Sequence, residues 1–341
     1  MPPRRRTNYQ RIEQHIASAA VALFLLLGIS MKKLIITYLS IIVASLTAQA
    51  QTADTPNWVA LETQLRNQLK AIALQSSYSV RDSLNAIFVT DFERTLRLPG
   101  AFSHPFDSLP HMGRLVSDDG LVRIFTWNIP QADGSQRFFG YIQHREPKSP
   151  TATTHALHNH ADTLPPDRLL NAQLPHTTWF GALYYQIVTI KTKASTYYVL
   201  LGYRPNGLHT SKKVIEPLSF GLSGQPLFGQ RVFNVNGKQQ LQRIIFEFSA
   251  RASMTLRFEP TIEMLVFDHL SPASPRYAGN AQFYGPDFSY DGFKLDTKSG
   301  FWSYVRDLDM RNPRKNKRSK NTGPASDPPF IYKPNYKQAE K

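Results

Sequence analysis

The chain of 341 residues contains no cysteine. That absence excludes disulfide staples, cysteine-ligated zinc and thiol chemistry. It also excludes a lipoprotein, because no cysteine follows the apolar leader to carry a lipid. Long hydrophobic runs are missing too. The two apolar stretches, 16–29 and 34–46, are 14 and 13 residues long, whereas a membrane-spanning helix needs about 20. No Gly-x-Ser-x-Gly elbow or cofactor motif stands out. Nor is there a basic face on the body of the chain. The formal net charge of +15 resides largely in the leader and in the segment from Arg306 onward. Residues 51–305 carry an excess of only four positive charges, which argues against a nucleic-acid-type domain.

What is present first is an export signal. Met31-Lys32-Lys33 forms a positive start. The apolar run 34–46 follows, broken only by Thr37, Ser40 and Ser45, and Ala48-Gln49-Ala50 offers a small-x-small cleavage site. A signal peptide over 31–50 with mature residue Gln51 follows from this layout. Residues 1–30 then read as an upstream extension ahead of the true start. The expected location is the periplasm or outer surface of a Gram-negative cell, with no transmembrane anchor in the mature chain.

In the mature chain, Trp58, Leu61, Leu65, Leu69 and Ile72 recur at helical spacing behind Thr55-Pro56. Val80, Leu84, Ile87, Phe88 and Phe92 form a second stripe behind Ser79, with Asp82 as a capping-box residue. After Gly100 the period becomes two. Strands are predicted at 121–128, 137–143, 184–191, 196–203, 213–220, 230–235, 242–249, 253–259, 264–268, 282–284, 292–295 and 301–305. The fold expected is mainly β, an antiparallel sandwich, barrel or propeller-like arrangement, with an N-terminal pair of α-helices over 51–100. The β-rich domain is placed at 101–311 with a long polar loop at 145–175, and 312–341 is read as a disordered basic tail.

Several stretches carry a family resemblance: Asp119-Gly-Leu-Val-Arg-Ile-Phe-Thr-Trp-Asn128, Trp179-Phe-Gly-Ala-Leu-Tyr-Tyr185, Tyr197-Tyr-Val-Leu-Leu-Gly-Tyr203, Lys213-Val-Ile-Glu216, Phe228-Gly229, Arg243-Ile-Ile-Phe-Glu-Phe-Ser249, Val266-Phe-Asp-His-Leu270 and Tyr284-Gly-Pro-Asp-Phe-Ser-Tyr-Asp-Gly292. Together they resemble a family of exported, β-rich proteins of Bacteroidetes-type Gram-negative bacteria. The resemblance implies secretion and a β fold, and it supplies no activity.

Candidate chemistry is sparse. Asp287, Ser289 and Asp291 before Gly292 match the opening of a calcium loop, with Asp296 as a further donor. Lys298 stands where the bidentate glutamate belongs, so a structural turn competes with a Ca²⁺ site. His155, His158 and His160 are spaced for Zn²⁺ or Cu²⁺, with Asp162 as a fourth donor, against solvated loop histidines. Asp268-His269 offers half a triad, with side chains expected on opposite faces. Glu216, Glu247 and Glu259 are candidate paired carboxylates for a secreted hydrolase of glycans or peptides. Paired aromatics at Tyr184-Tyr185 and Tyr197-Tyr198 put one ring on each strand face and suit packing or sugar and peptide binding. Arg311, Arg314, Lys315, Lys317, Arg318 and Lys320 are candidates for an anionic envelope surface. The leading reading is a non-enzymatic envelope protein acting in binding or assembly, with an envelope protein or glycan as partner. A hydrolase and a Ca²⁺-stabilised adhesin are the alternatives.

Overall fold

The structure is a computed structural model that describes residues 56–160, 164–193, 195–235 and 240–310, together with Ser18. The predicted signal at 31–50, the extension at 1–30 and the basic tail with Arg311, Arg314, Lys315, Lys317, Arg318 and Lys320 lie outside the described residues. The chain divides into two compact units, 1–56 and 57–341, and the second is described below.

Helix α1 (Trp58–Leu74) starts behind Asn57, whose Oδ1 accepts the Ala60 N–H at 3.1 Å. The start expected at Thr55-Pro56 is therefore displaced: the asparagine provides the cap that satisfies an orphan N–H of the first turn. Helix α2 (Tyr78–Leu96) follows. Asp82 does not build the expected capping box, because its carboxylate pairs with Arg137 at 3.0 Å. Val80 and Ile87 of the predicted stripe face outward, while Phe88, Phe92 and Leu96 are buried.

Those buried residues, with Leu65, Leu69 and Ile72, cover one face of an antiparallel sheet of β1 (Gly113–Val116), β2 (Val122–Pro130), β3 (Gln136–His144) and β4 (Thr153–His158). Phe125, Trp127, Ile129 and Tyr141 form the facing layer, and Trp127 Nε1 donates to Asn85 Oδ1 at 2.8 Å. Alternation turns Val122, Ile124, Ile142 and Leu157 to the opposite side, into the main core. The sheet is thus buried on both faces, and β2 carries apolar side chains on each of them, between Arg123, Thr126 and Asn128.

The second sheet runs β5-β9-β8-β7-β6, with β12 pairing off β8. Its members are β5 (Leu174–Pro175), β6 (Leu183–Lys191), β7 (Thr196–Asn206), β8 (Thr210–Phe220), β9 (Pro226–Phe228) and β12 (Ile244–Ser249). The third sheet has the order β11-β10-β16-β15-β14-β13. It comprises β10 (Phe233–Asn234), β11 (Gln240–Leu241), β13 (Leu256–Glu259), β14 (Met264–Pro272), β15 (Tyr284–Asp296) and β16 (Phe301–Val305). The three sheets have four, six and six strands. The architecture is mainly β with a few helices at the N-terminal end of this unit, as expected. Among the described strands pairing is antiparallel except between β10 and β16, which run parallel.

Two expectations need correction. The polar loop at 145–175 contains strand β4, paired to β3 over six positions, while the turn of helix that the sequence places near Asp167–Ala172 is present as α3 (Pro166–Asn171). Of the short strand expected at 282–284, only Tyr284 is extended, after a 3-10 turn at Ala281–Phe283. It opens the 13-residue strand β15, which also takes in 292–295 and carries Gly285-Pro286 where the sequence suggests an interruption.

Candidate functional site

The predicted calcium loop is a strand. Asp287, Ser289 and Asp291 lie within β15, where Tyr290 and Asp291 pair with Asp268 and Phe267 of β14. Within that strand, residues 287–289 have no register partner on β14 and close a local turn, with the Ser289 N–H and Oγ both donating to Asp287 Oδ1. Asp291 is buried and Asp287 is at the surface, although four residues of regular strand would put both on one face; the alternation breaks at 287–289. Asp291 is fully buried and accepts from His269 Nδ1 at 2.7 Å, the Tyr304 hydroxyl at 2.6 Å and the Asp307 N–H at 3.0 Å. Asp296 accepts from Ser299 Oγ and the Lys298 N–H. Protein donors thus serve each carboxylate locally.

The histidine trio separates as well. His155 and His158 are three residues apart on β4 and so face opposite sides of the sheet. The imidazole nearest His155 is His176, with ring centroids 5.1 Å apart, while His158 stacks on His160 at 6.4 Å. Burial pushes the His155 and His158 rings below the usual imidazole range. Among the described residues no three His, Asp or Glu side chains gather to hold a metal ion. Asp162 lies outside those residues.

The acids proposed for hydrolysis do not converge. Glu216 is wholly buried against Arg243, with Nε to Oε1 at 2.8 Å. Its other oxygen accepts the Tyr184 hydroxyl, which in turn accepts Trp179 Nε1 at 2.8 Å. Burial and the neighbouring Glu216 charge drive the Tyr184 phenol far up. Arg243 also donates to the carbonyls of Leu169, Ala172 and Phe228. The whole set ties α3 to β8 and β9 of the second sheet. Glu247 faces Lys212 at 3.7 Å and accepts from Asn206 and Thr210. Glu259 faces Arg257 at 3.7 Å.

His269 behaves differently. A register shift between Asp268 and Leu270 leaves it opposite a bulge in β15, where residues 287–289 face it alone. Asp268 faces away and accepts the Thr255 N–H at 2.7 Å, so the two neighbours do point apart as expected. His269 shares a face with Phe267, the register partner of Asp291, and so it reaches that carboxylate diagonally across the strands. Its Nε2 lies 3.8 Å from Asp287 Oδ2, and that same oxygen accepts from Ser271 Oγ at 2.7 Å. The result is a continuous polar array: Asp291, His269, Asp287, Ser271. Burial works to raise the Asp287 carboxyl. The hydrogen bonds from Ser289 and Ser271, aided by His269, outweigh burial and hold it below the usual carboxylate range.

The outer end of this array opens on a groove of about 700 Å³. Its walls are the β7–β8 turn with Leu208 and His209, the β12–β13 connection with Arg251, and the β14–β15 segment with Phe283, Tyr284 and Pro286. The Tyr284 hydroxyl accepts the Gly279 N–H, which fixes the ring. Next to the groove, Phe288 is 95% exposed and holds φ at +70°. A bulky residue seldom adopts this left-handed conformation, and such strain clusters at functional sites. A hollow of similar size, about 740 Å³, lies on the helical pair beside Val59, Leu84 and Ile87, but no titratable group lines it. The groove at Tyr284 combines apolar walls with charged and hydroxyl groups and is the better ligand site.

Sequence reasoning quoted Tyr284 within a motif, but it did not find Arg251, His209 or Phe283 as one site. They come from three connections, and only the sheet order brings them together. Comparison with protein-family models, with curated proteins and with solved structures gives no match.

Proposed function

We propose that this is an exported, non-enzymatic binding protein of the Gram-negative envelope, and that it takes a glycan in the groove between the β7–β8 turn and the start of β15. The observation that carries this reading is the convergence of the fixed Tyr284 ring, the Phe283 and Pro286 wall and the ionised Asp287 in one groove of sugar-sized dimensions. An aromatic face packs on the C–H side of a pyranose ring, while a carboxylate and a hydroxyl accept or donate to its hydroxyl groups. Phe288, held outward at a strained backbone, adds a second aromatic surface beside the groove. Export rests on the Met31 signal and the resemblance to exported proteins. No helix among the described residues is long and apolar enough to cross a membrane, which accords with a protein lacking a helical anchor.

A glycan array probed with the full chain tests the reading. Binding to a defined set of oligosaccharides is expected, with Tyr284→Ala and Asp287→Asn each lowering affinity by about tenfold, the loss of one good contact. Capture of peptides with no glycan bound would refute it. A hydrolase is the second reading, favoured by His269 held against buried Asp291. New reducing ends released from a bound glycan, and lost in His269→Gln, would replace the binding role with that one.

A further inference from the structure

A second concavity lies on the opposite module, where the first sheet meets the segment after α2. It has a volume of about 490 Å³ and is lined by Arg114, Arg123 and Arg145, by Phe102, Leu115 and Phe125, and by one acid, Asp107. The three arginines come from separate places. Arg114 lies on β1 opposite Phe125, Arg123 on β2 opposite Val116, and Arg145 just past the end of β3. Arg114 and Arg123 are therefore diagonal neighbours across an antiparallel pair, close enough for two like charges to destabilise each other.

Each guanidinium is held rigidly by carbonyl oxygens or aromatic faces. Arg123 is 5% exposed and donates to the carbonyls of Ala101 at 2.9 Å and Phe102 at 2.6 Å. Arg114 donates to the carbonyls of Leu109 and Asp107. Arg145 lies over the Phe102 ring at 4.7 Å and donates once, to the Gly120 carbonyl at 3.3 Å. Among the described residues none of the three makes a salt bridge to a carboxylate. Burial pushes the Arg123 guanidinium down to about 10; Asp107 offsets this in part and Arg114 adds to it. A concave site with two uncompensated positive charges is costly when empty and favourable when an anion fills it.

We propose that this hollow binds a phosphate monoester. Three guanidiniums against one carboxylate leave a charge of two, which matches a dianionic phosphate. Preset arginine forks suit its tetrahedral oxygens, and the Phe102, Leu115 and Phe125 walls accommodate the apolar part of the molecule that carries it. The phosphate comes either from a free small molecule or from a lipid headgroup, and the same arginines serve both.

Titration calorimetry of the full chain with glycerol 3-phosphate, alongside sedimentation with phosphatidylcholine vesicles containing phosphatidic acid, tests the site and separates the two sources. Heat with the free ester assigns a soluble ligand, and binding to the vesicles alone assigns a headgroup. In either arm Arg145→Gln is expected to weaken binding about tenfold and Arg145→Glu to abolish it, because one charge-assisted contact is worth about that factor. Arg145 makes only one hydrogen bond to the protein, so both variants should melt at the parent temperature. No binding in either arm overturns the proposal. So does unchanged binding by Arg145→Gln with an unchanged melting curve, and this second variant decides the matter if Arg145→Glu fails to fold.

Discussion

Replacing Glu216 with leucine should destabilise the protein more than any surface change, because it strands a charge in the core. Glu216 and Arg243 are both 0% exposed in their side chains, and the pair is closed by Tyr184 on one side and three backbone carbonyls on the other. Removing one member of a buried ion pair typically costs about 3–5 kcal/mol, since the survivor stays desolvated and uncompensated. At about 2–4 °C per kcal/mol for a domain of this size, Tm should fall on the order of 10 °C. The double variant Glu216→Leu with Arg243→Met should recover much of that loss, because replacing both charges by apolar groups is often neutral. Urea titration monitored by tryptophan fluorescence reads both variants, with Trp179 inside the network as reporter. A single variant within about 1 kcal/mol of the parent would refute the reasoning. So would a double variant at least as damaged as the single one. The same measurement separates a structural Glu216 from the catalytic acid that the sequence alone allowed.

Asn57→Ala should cost about 1 kcal/mol through loss of the α1 cap, seen as a small drop in urea midpoint at constant slope. Acidification should weaken the fold below about pH 6.5, the ordinary imidazole value. Burial depresses His144, although Glu146 and Asp119 partly oppose it, and it depresses His155 and His158 as well. The unfolded chain therefore takes up protons first, and stability present above that pH is lost as it falls through the folded values. His144 stacks on Phe220 with centroids 3.7 Å apart, and His144→Phe should flatten the Tm–pH curve between pH 6.5 and 5. A slope equal to the parent's would contradict this. EDTA should leave Tm unchanged, because protein donors already occupy Asp287, Asp291 and Asp296; a clear drop would restore the Ca²⁺ reading.

Local patterns carried much of the fold. β16 (Phe301–Val305) and the β2–β3 hairpin are legible because Gly134 and Gly300 mark turns and the apolar alternation beside them is regular. β4 was hidden because Thr153, Thr154, His155 and His158 read as a polar loop, yet its partner β3 supplies the hydrogen bonds and Leu157 its core contact. β15 looked like two fragments because Gly285, Pro286 and Gly292 resemble breaks. The site was less legible for a different reason. His269 sits next to Asp268 in the chain but bonds to Asp291, and that partnership depends on a bulge no residue pattern announces. Arg114, Arg123 and Arg145 likewise meet only after three strands have paired.

The parallel contact between β10 and β16 has a consequence for how the molecule assembles in time. The first sheet is a meander of consecutive strands and needs only short loops to close, so a chain emerging N-terminus first can complete it early. The third sheet cannot be finished that way. Phe233 pairs with Trp302, whose amide donates to Val232 and whose ring nitrogen donates to Tyr197. Until residue 302 arrives, the edges of β10 and β15 and the apolar surface around Tyr197 stay open, a vulnerable interval in which a holding chaperone would have most to grip.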